Sequence, residues 1–278
     1  MHLLSLGHGY SAQWLARDLL AEGWQVTGTT RSPDKAQAMR ESGVTPLVWP
    51  GEIGPALTRA SHVLVSAPPG AEGDPFLARA RDEIAESRPD WIGYLSSTGV
   101  YGDHGGAWVD EDTPPNAPEG HRDRRLAAER EWQAIPGLPL HVFRLAGIYG
   151  PGRGPFQKLR DGTARRIVKA GQVFSRIHVA DIAGTLRASM ARPDPGRIYN
   201  VCDDEPAPAD VVILEAARLL GLPPPPAIPF EEADLPPMAR AFYRDNRRVR
   251  NDRIKRELGV RLLYPSWREG LASLAGLE

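Results

Sequence analysis

The first thirty residues constrain the fold of this chain more than any other stretch does. Residues 3–6 are an apolar run that predicts a buried strand. Apolar residues then recur at helical spacing, at Leu15, Leu19 and Leu20. Gly23 ends the helix, and residues 25–29 predict a second strand. The N-terminus is therefore predicted to fold as a βαβ unit, which belongs in an α/β protein with a parallel sheet.

Two glycines and an alanine occupy the turn between the first strand and the helix. Gly7, Gly9 and Ala12 have the spacing G-x-G-x-x-A, in which the first glycine permits a tight turn and the alanine lets helix and strand pack closely. Gly9 lets the backbone approach a pyrophosphate, to which the helix N-terminus offers free N–H groups. The context favours dinucleotide binding over an ordinary glycine turn in another α/β fold. The predicted cofactor-binding turn comprises Gly7, His8, Gly9, Tyr10, Ser11 and Ala12.

The end of the second strand bears on which dinucleotide binds. An acid about 20 residues past the glycines would bind the ribose 2′-hydroxyl of NAD, and no acid stands there. Arg31 follows Thr29 and Thr30 instead, and a guanidinium at this place suits the 2′-phosphate of NADP. The alternative is a solvated arginine at a strand end. The sequence favours NADP over NAD, with Thr30 and Arg31 as cofactor-binding residues.

Two later strands are also predicted to end at the site. Ligands of open α/β sheets bind beyond the carboxyl ends of the strands. A buried strand at residues 63–65 is followed by a rigid loop of small residues, so we assign to the cofactor site Ser66, Ala67 and Pro68. The strand at residues 91–95 leads into the hydroxyl-bearing run Ser96-Ser97-Thr98, which is placed to hydrogen-bond a substrate oxygen. The alternative is that these hydroxyls satisfy their own backbone.

Composition is that of a soluble globular enzyme and excludes several functions. The 278 residues can form one large or two small domains, and the formal net charge of −1 gives no sign of nucleic-acid or membrane binding. The single cysteine, Cys202, excludes an internal disulfide and a multi-cysteine metal site. His178 and Asp181 are not interpreted as a metal pair, because no third ligand lies near them in the sequence. We expect no membrane span and a cytoplasmic location.

Motifs continue along nearly the whole chain. "LSSTGVYGD" matches the pattern S-S-x-x-V-Y-G, and "GHRDRRLAAE" resembles Y-x-x-x-K-L-x-A-E. "HVFRLAGIYGPG" resembles R-x-x-x-V-Y-G-P-G, and "RIHVADIAGTLRASM" resembles I-H-V-x-D-x-A. In this order the motifs resemble the extended short-chain dehydrogenase/reductases, the NAD(P)-dependent epimerase/dehydratase family. The short length, Gly9-Tyr10 and the segment "RRVRNDRIKRELG" look most like the atypical, YeeZ-like branch. The resemblance implies a Rossmann doubly wound sheet with a smaller C-terminal substrate lobe.

The segments that match the family's catalytic residues depart from its pattern. In the family a Tyr exchanges the substrate proton, a Lys one helical turn later lowers its pKa and holds the ribose, and a Ser or Thr positions the substrate. Ser97 stands at the hydroxyl position with Thr98 beside it, whereas His121 replaces the Tyr and Arg125 replaces the Lys. A histidine exchanges protons near neutral pH, and a cationic Arg125 would favour its neutral form. The resemblance implies Ser97, His121 and Arg125 as catalytic residues, with Tyr101 or a bound water next in line as proton source.

The resemblance also predicts where the chain divides. Residues 1–152 and about 174–202 are assigned to the Rossmann domain, and residues 153–173 and 203–278 to the substrate lobe, with the site in the cleft between them. The lobe opens with a basic segment that contains Arg153, Lys158, Arg160, Arg165, Arg166 and Lys169. These side chains suit a phosphate or carboxylate on the substrate, or form a solvated surface. A second basic segment resembles the one that closes over the substrate in the family, at Asn246, Arg247, Arg248 and Arg250.

Two functions stay open from the sequence. One is an NAD(P)-dependent oxidoreductase or epimerase that acts on a hydroxyl-bearing, sugar-like small molecule. The other is a cofactor-binding redox sensor or regulatory protein without turnover, which the changed Tyr-Lys pair favours. The family further suggests a homodimer through the helices at about residues 74–87 and 122–134. On a monomer this surface is expected to leave three side chains half-exposed, namely Phe76, Leu77 and Trp132.

Overall fold

The computed structural model of the chain describes residues 1–117 and 121–276, with the backbone alone at positions 121, 122 and 238. Its strands are β1 (His2–Leu6), β2 (Gln25–Thr30), β3 (Thr45–Val48), β4 (His62–Val65), β5 (Trp91–Ser97), β6 (Trp108–Val109), β7 (Leu140–Leu145), β8 (Gly147–Tyr149), β9 (Arg166–Val168), β10 (Arg176–His178), β11 (Ile198–Val201), β12 (Ala227–Pro229) and β13 (Arg248–Val249). Its helices are α1 (Tyr10–Ala21), α2 (Pro33–Glu41), α3 (Gly54–Arg59), α4 (Leu77–Glu86), α5 (His121–Gln133), α6 (Phe156–Arg160), α7 (Val179–Ala191), α8 (Ala209–Leu219), α9 (Pro237–Phe242), α10 (Asp252–Leu258) and α11 (Trp267–Ala275). Short 3-10 helices lie at Thr98–Tyr101 and Phe230–Glu232.

Seven of the described strands form the main sheet, in the order β3-β2-β1-β4-β5-β7-β11. Every neighbouring pair in it is parallel. The chain winds from β1 outward to β3 and then returns to build the other half from β4 to β11. The point where the direction reverses, between β1 and β4, is where ligands bind in doubly wound sheets. The predicted α/β, doubly wound parallel fold is confirmed.

Both faces of the sheet are covered, which explains why its strands are apolar throughout. Successive side chains of a strand point to opposite faces, so Leu3 and Leu4 belong to different cores. Leu3 packs with Leu15 of α1 and Leu186 of α7 on one face. Leu4 packs on the other face in a cluster that includes Trp132 of α5. Helices α1 and α7 therefore lie on the face opposite to α5.

A third apolar cluster lies outside the main sheet, among helices from the second half of the chain. It joins Phe156 of α6, Val212 of α8 and Trp267 of α11. Strand β9 pairs with β12 beside these helices, and both strands are only three residues long. The described helices include none that is both long and apolar enough to cross a lipid bilayer.

The expectation that Phe76, Leu77 and Trp132 are half-exposed is wrong. Their exposed fractions are 2 %, 7 % and 1 %. The predicted helix at residues 74–87 begins only at Leu77, and the Asp74 carboxylate ahead of it accepts hydrogen bonds from the N–H groups of Phe76 and Leu77 (2.9 and 3.1 Å). This start turns Phe76 inward onto Trp49, with ring centroids 4.6 Å apart. The three side chains thus stabilise the subunit's own core and offer no apolar surface to a partner.

Candidate functional site

The glycine turn is held by the loop that follows β4. Gly7 has a φ of +85°, and a Cβ added there would lie 2.7 Å from the backbone nitrogen of Ala67. The Gly7 N–H donates to the Thr29 hydroxyl at 2.7 Å, and the Ser66 hydroxyl donates to the Gly7 carbonyl. Pro68, the third residue assigned to this loop, is exposed. The ends of β1, β2 and β4 therefore meet at Gly7, as the predicted cofactor site requires.

Gly9 differs from Gly7 because nothing inside the protein requires it to be glycine. Its φ is −101°, a value that any residue adopts, and an added Cβ would approach only the Gly7 carbonyl, at 3.8 Å. Gly9 is exposed and precedes the first turn of α1, where it makes no side-chain cap. The open space lies at a helix N-terminus, whose free N–H groups attract anions. This cradle fits a pyrophosphate group.

The other residues of the turn contribute mainly through their backbone. Ser11 and Ala12 are buried against the sheet. His8 is buried as well, and its ring fills the space beside Gly28, where an added Cβ would lie 2.8 Å from the His8 Cγ. Burial lowers the pKa of His8 to about 4, so its imidazole is neutral at neutral pH. Tyr10 is half-buried, and its hydroxyl donates to the Pro151 carbonyl at 2.9 Å.

The two residues predicted to bind the cofactor at the end of β2 lie in different surroundings. The Thr30 side chain is buried, and its hydroxyl accepts a hydrogen bond from the Ser32 N–H at 3.2 Å. Ser32 in turn caps α2 by accepting from the Lys35 N–H at 3.4 Å. The Arg31 side chain is exposed at the carboxyl end of β2. Arg31 is thus the residue of this pair with a side chain that can reach a phosphate in solvent.

A cavity of about 720 Å³ opens at the carboxyl ends of β5 and β7. Ser97 lines it from the end of β5, Thr98 from the 3-10 helix that follows, and Arg125 from α5. The Ser97 Oγ accepts a hydrogen bond from the Gly99 N–H at 3.0 Å, as the local-backbone alternative predicts. Within the described part of the chain its own hydrogen has no acceptor, so Ser97 can still donate to a ligand oxygen.

Arg125 is fixed at the edge of this cavity. Its Nη1 donates to the Leu95 carbonyl of β5 at 2.7 Å. That bond ties the helix α5 to the end of the strand that carries Ser97. The predicted acid/base residue, His121, is the first residue of α5, but its side chain lies outside the described residues.

Tyr101 is not available as a proton source, and this part of the prediction is wrong. Its side chain is fully buried, its hydroxyl donates to the Asn200 Oδ1 at 2.8 Å, and it accepts from the Arg144 Nη1 at 3.0 Å. Burial raises the pKa of Tyr101 to about 12 in spite of the neighbouring arginine. The 3-10 helix that follows β5 turns this ring into the core instead of the cavity.

A buried ion pair behind the cavity was not found by reasoning from the sequence. Arg144 of β7 donates two hydrogen bonds to the Glu129 carboxylate of α5, at 3.2 and 2.8 Å, and the Ser96 hydroxyl donates to the same carboxylate. The two side chains are 3 % and 1 % exposed. The signal was an arginine inside the apolar strand "HVFRL". Because Glu129 belongs to α5 and Arg144 to β7, the ion pair fixes α5 against the sheet, one helical turn beyond Arg125.

The first basic segment contributes a single side chain to the cavity lining. Arg153 lies there, whereas Lys158, Arg160, Arg165, Arg166 and Lys169 do not. Arg165 donates to the Asp234 carbonyl and Lys169 to the Tyr243 carbonyl, so they hold the lobe together. The solvated or structural alternative therefore describes most of this segment.

The second basic segment also has one residue that lines the cavity, whereas its other residues contact the surrounding protein. Arg247 lines the cavity, donates to the Gly102 carbonyl at 2.7 Å and pairs with Asp245 at 3.3 Å. Asn246 instead accepts from the Val173 N–H, Arg248 donates to the Gly106 carbonyl, and Arg250 stacks on Trp108. Sequence reasoning missed Arg176, which also lines the cavity and donates from Nη1 to the carbonyls of Phe174 and Ala207, both at 2.9 Å.

His178 and Asp181 have structural contacts. The His178 Nδ1 accepts from the Ala180 N–H at 3.2 Å and caps α7. The Asp181 carboxylate accepts from the N–H groups of Leu263 and Tyr264, at 2.6 and 3.1 Å. In the described ranges, no three His, Cys, Asp or Glu side chains converge as a metal site would need.

A doubly wound parallel sheet, with a glycine turn at its switch point and a cavity beyond its strand ends, defines a Rossmann-type α/β protein. No protein-family model matches the chain. Protein YeeZ of Escherichia coli (strain K12) is 34 % identical to it over 235 residues, which span 79 % of this chain and 84 % of YeeZ. The chain belongs to the YeeZ-like branch of the extended short-chain dehydrogenase/reductases, as its motifs predict.

Three further proteins are similar to the chain in sequence or in fold. The 3-diazoavenalumate denitrifying reductase of a Streptomyces species is 34 % identical over 182 residues, which span 59 % of this chain and 58 % of the reductase. A functionally unknown conserved protein from Silicibacter pomeroyi is 60 % identical, with a TM-score of 0.94 over 99 % of this chain and 98 % of that one. A human epimerase family protein solved with NADPH is 18 % identical, with a TM-score of 0.80 over 99 % of both chains, and shows the shared fold.

Proposed function

We propose that this protein binds a nicotinamide dinucleotide across its first turn and acts as an NAD(P)-dependent oxidoreductase or epimerase. The observation that carries the proposal is Gly9, a glycine with unstrained backbone and open space at a helix N-terminus. An internal role does not explain its identity, whereas the approach of a pyrophosphate does. The NADPH of the human epimerase family protein and the activity named for the Streptomyces reductase support the same assignment.

The chain's own residues can support proton and hydrogen-bond steps in the cavity. When bound, the nicotinamide supplies hydride transfer to or from a carbon that bears a hydroxyl or carbonyl group. Ser97 would donate a hydrogen bond to that oxygen. His121, four residues before Arg125 and on the same face of α5, would accept or return the proton. Arg125 would keep the imidazole neutral between turnovers because a nearby cation disfavours imidazolium.

The cavity also suits an anionic group on a hydroxyl-bearing, sugar-like substrate. Among the described residues, its lining includes Arg125, Arg153, Arg176 and Arg247 and one acidic residue, Asp245. Arginines bind phosphate and carboxylate groups by charge-assisted, often bidentate hydrogen bonds. We therefore propose a substrate that carries a phosphate or a carboxylate in addition to the reacting carbon.

Turnover is tested by following cofactor absorbance with panels of aldehydes, ketones and nucleotide-sugars. For any substrate found, Ser97→Ala should lower kcat by about 10²–10³-fold without changing cofactor affinity, because it removes one aimed donor. Ser273→Ala, a hydroxyl loss in α11 at a residue that does not line the cavity, is the matched control. His121→Ala should lower kcat by about 10²–10⁴-fold. Full turnover in the His121 variant would contradict its role as acid and base.

The alternative function is a cofactor-binding sensor without turnover, and one observation favours it. In the motif match, His121 and Arg125 stand where the family has its Tyr and Lys, and on that assignment both groups of the proton step would be changed. The double variant His121→Tyr with Arg125→Lys separates the two functions. A marked rise in turnover would support a reductase or epimerase whose dyad has been altered. Tight cofactor binding without turnover in parent and double variant would support the sensor.

A further inference from the structure

We infer that Tyr10 is a positioning residue that couples the cofactor turn to the mouth of the substrate cavity. Dinucleotide binding at α1 would order the turn at residues 150–153, and with it Arg153, through the Tyr10 side chain. The inference rests on the proposed cofactor site. It assigns to Tyr10 a role through its side chain, separate from the backbone contribution of the glycine turn.

Tyr10 joins two segments that are far apart in the sequence. It is the first residue of α1, directly after Gly9, so its backbone lies where the phosphates are proposed to bind. Its hydroxyl donates to the Pro151 carbonyl at 2.9 Å, across 141 positions of the chain. Any ligand that fixes the first turn of α1 therefore also fixes the donor of this bond.

The turn at 150–153 is built to accept the phenol. Gly150 has a φ of +154°, and a Cβ added there would lie 2.6 Å from the Tyr10 hydroxyl and 2.7 Å from Val179. Only glycine leaves room for so close an approach. The turn is closed by two reciprocal hydrogen bonds, from the Gly150 N–H to the Arg153 carbonyl (3.1 Å) and from the Arg153 N–H to the Gly150 carbonyl (2.9 Å). It can therefore move as one unit on Tyr10.

Arg153 is the part of this unit that reaches the cavity. Its guanidinium carbon lies 5.6 Å from the centroid of the Tyr10 ring, within the range of a cation–π contact. The side chain is exposed and lines the cavity. Tyr10 thus contacts Arg153 through its ring and the rest of the turn through its hydroxyl. By linkage, an anion bound at Arg153 would tighten dinucleotide binding by the same factor as the dinucleotide tightens the anion.

Hydrogen exchange measured by mass spectrometry, with and without NADPH, tests the coupling without a known substrate. In the parent protein NADPH should slow amide exchange in peptides that cover residues 7–20 and also in those that cover 148–156. Tyr10→Phe removes only the hydroxyl, so it should keep the first effect and lose the second. Tyr199→Phe is the matched control, because the Tyr199 hydroxyl is buried without a hydrogen-bond partner among the described residues. It should behave as the parent does.

A second variant tests the contact from the side of the turn, with thermal unfolding to check that it folds, because the added Cβ would also lie 2.7 Å from Val179. Gly150→Ala pushes against the Tyr10 hydroxyl from the other side, and it should also lose the protection of residues 148–156 while keeping that of residues 7–20. The inference is overturned if Tyr10→Phe retains protection at 148–156, or if the parent shows protection at 7–20 alone. Absence of protection at 7–20 in the parent would instead overturn the proposed cofactor site, and the inference with it.

Discussion

Replacing Gly9 by leucine should abolish dinucleotide binding while leaving the fold intact. The backbone at Gly9 is extended and the space beside it is open, so the Cβ of the new side chain would meet no protein atom closer than the Gly7 carbonyl at 3.8 Å. It would fill the approach of the pyrophosphate to the N-terminus of α1. Loss of two charge-assisted hydrogen bonds, each worth about 1.5–3 kcal/mol, corresponds to a fall in affinity of about 10²–10⁴-fold.

Titration calorimetry with NADPH measures this change directly, and thermal unfolding checks the fold. Gly184→Leu is the matched control, because Gly184 is exposed on α7 with nothing within 4 Å of an added Cβ. It should leave affinity unchanged. Gly7→Ala is expected to differ from Gly9→Leu by damaging the fold itself. Gly7 has a φ of +85°, and an added Cβ would lie 2.7 Å from the Ala67 backbone nitrogen. That variant should lose stability as well as binding.

The reasoning fails if Gly9→Leu binds NADPH as tightly as the parent does. In that case the open space at α1 would not be the place where the phosphates approach, and the glycine would have no explanation in the fold. A variant that unfolds would also contradict it, since the structure gives no clash at this position.

Three further predictions concern specificity and stability. Arg31→Ala should reduce the difference in binding free energy between NADPH and NADH by about 1.5–3 kcal/mol, whereas the control Arg40→Ala on α2 should leave that difference unchanged. If the parent binds NADPH and NADH with equal affinity, Arg31 does not recognise a 2′-phosphate. Glu129→Gln should lower the free energy of unfolding in urea by about 3–5 kcal/mol, because it leaves Arg144 buried without its counter-charge, whereas Glu131→Gln on the exposed face of α5 should change it little. His8 and His178 have pKa values of about 4 in the folded protein and about 6.5 when unfolded, so the unfolded chain binds more protons between these values. Both histidines should therefore lower the free energy of unfolding as pH drops from about 6.5 to about 4, whereas Asp203, whose pKa burial raises to about 8, acts in the opposite direction across this window. The histidine effect is measured as the difference in urea unfolding between the parent and His8→Gln, and an equal pH dependence of the two proteins would contradict the burial argument.

Much of the fold could be predicted from the sequence, because it depends on interactions between residues that are close together in the chain. A strand, a glycine turn and a helix are each determined by residues within a few positions of one another, so the βαβ unit and the family were predicted correctly from the N-terminus and the motif order. Gly7 shows the reason, since its need for positive φ belongs to the turn itself. The motif order also led to the interpretation that His121 and Arg125 stand at the family's Tyr and Lys positions, and both that assignment and the roles of the two residues stay predictions.

The sequence by itself therefore determined the fold class, the family and the place of the glycine turn. Only the tertiary structure decided which side chains of a pattern reach the cavity and which apolar face is covered. The family resemblance led us to expect Trp132 to be half-exposed on a monomer, but its burial depends on contacts with another part of the chain. Charge counting could not separate Arg153 from the other basic residues near it, nor join Tyr10 to Pro151. Such contacts connect residues distant in the chain, and no local rule of propensity or spacing contains the distances between them.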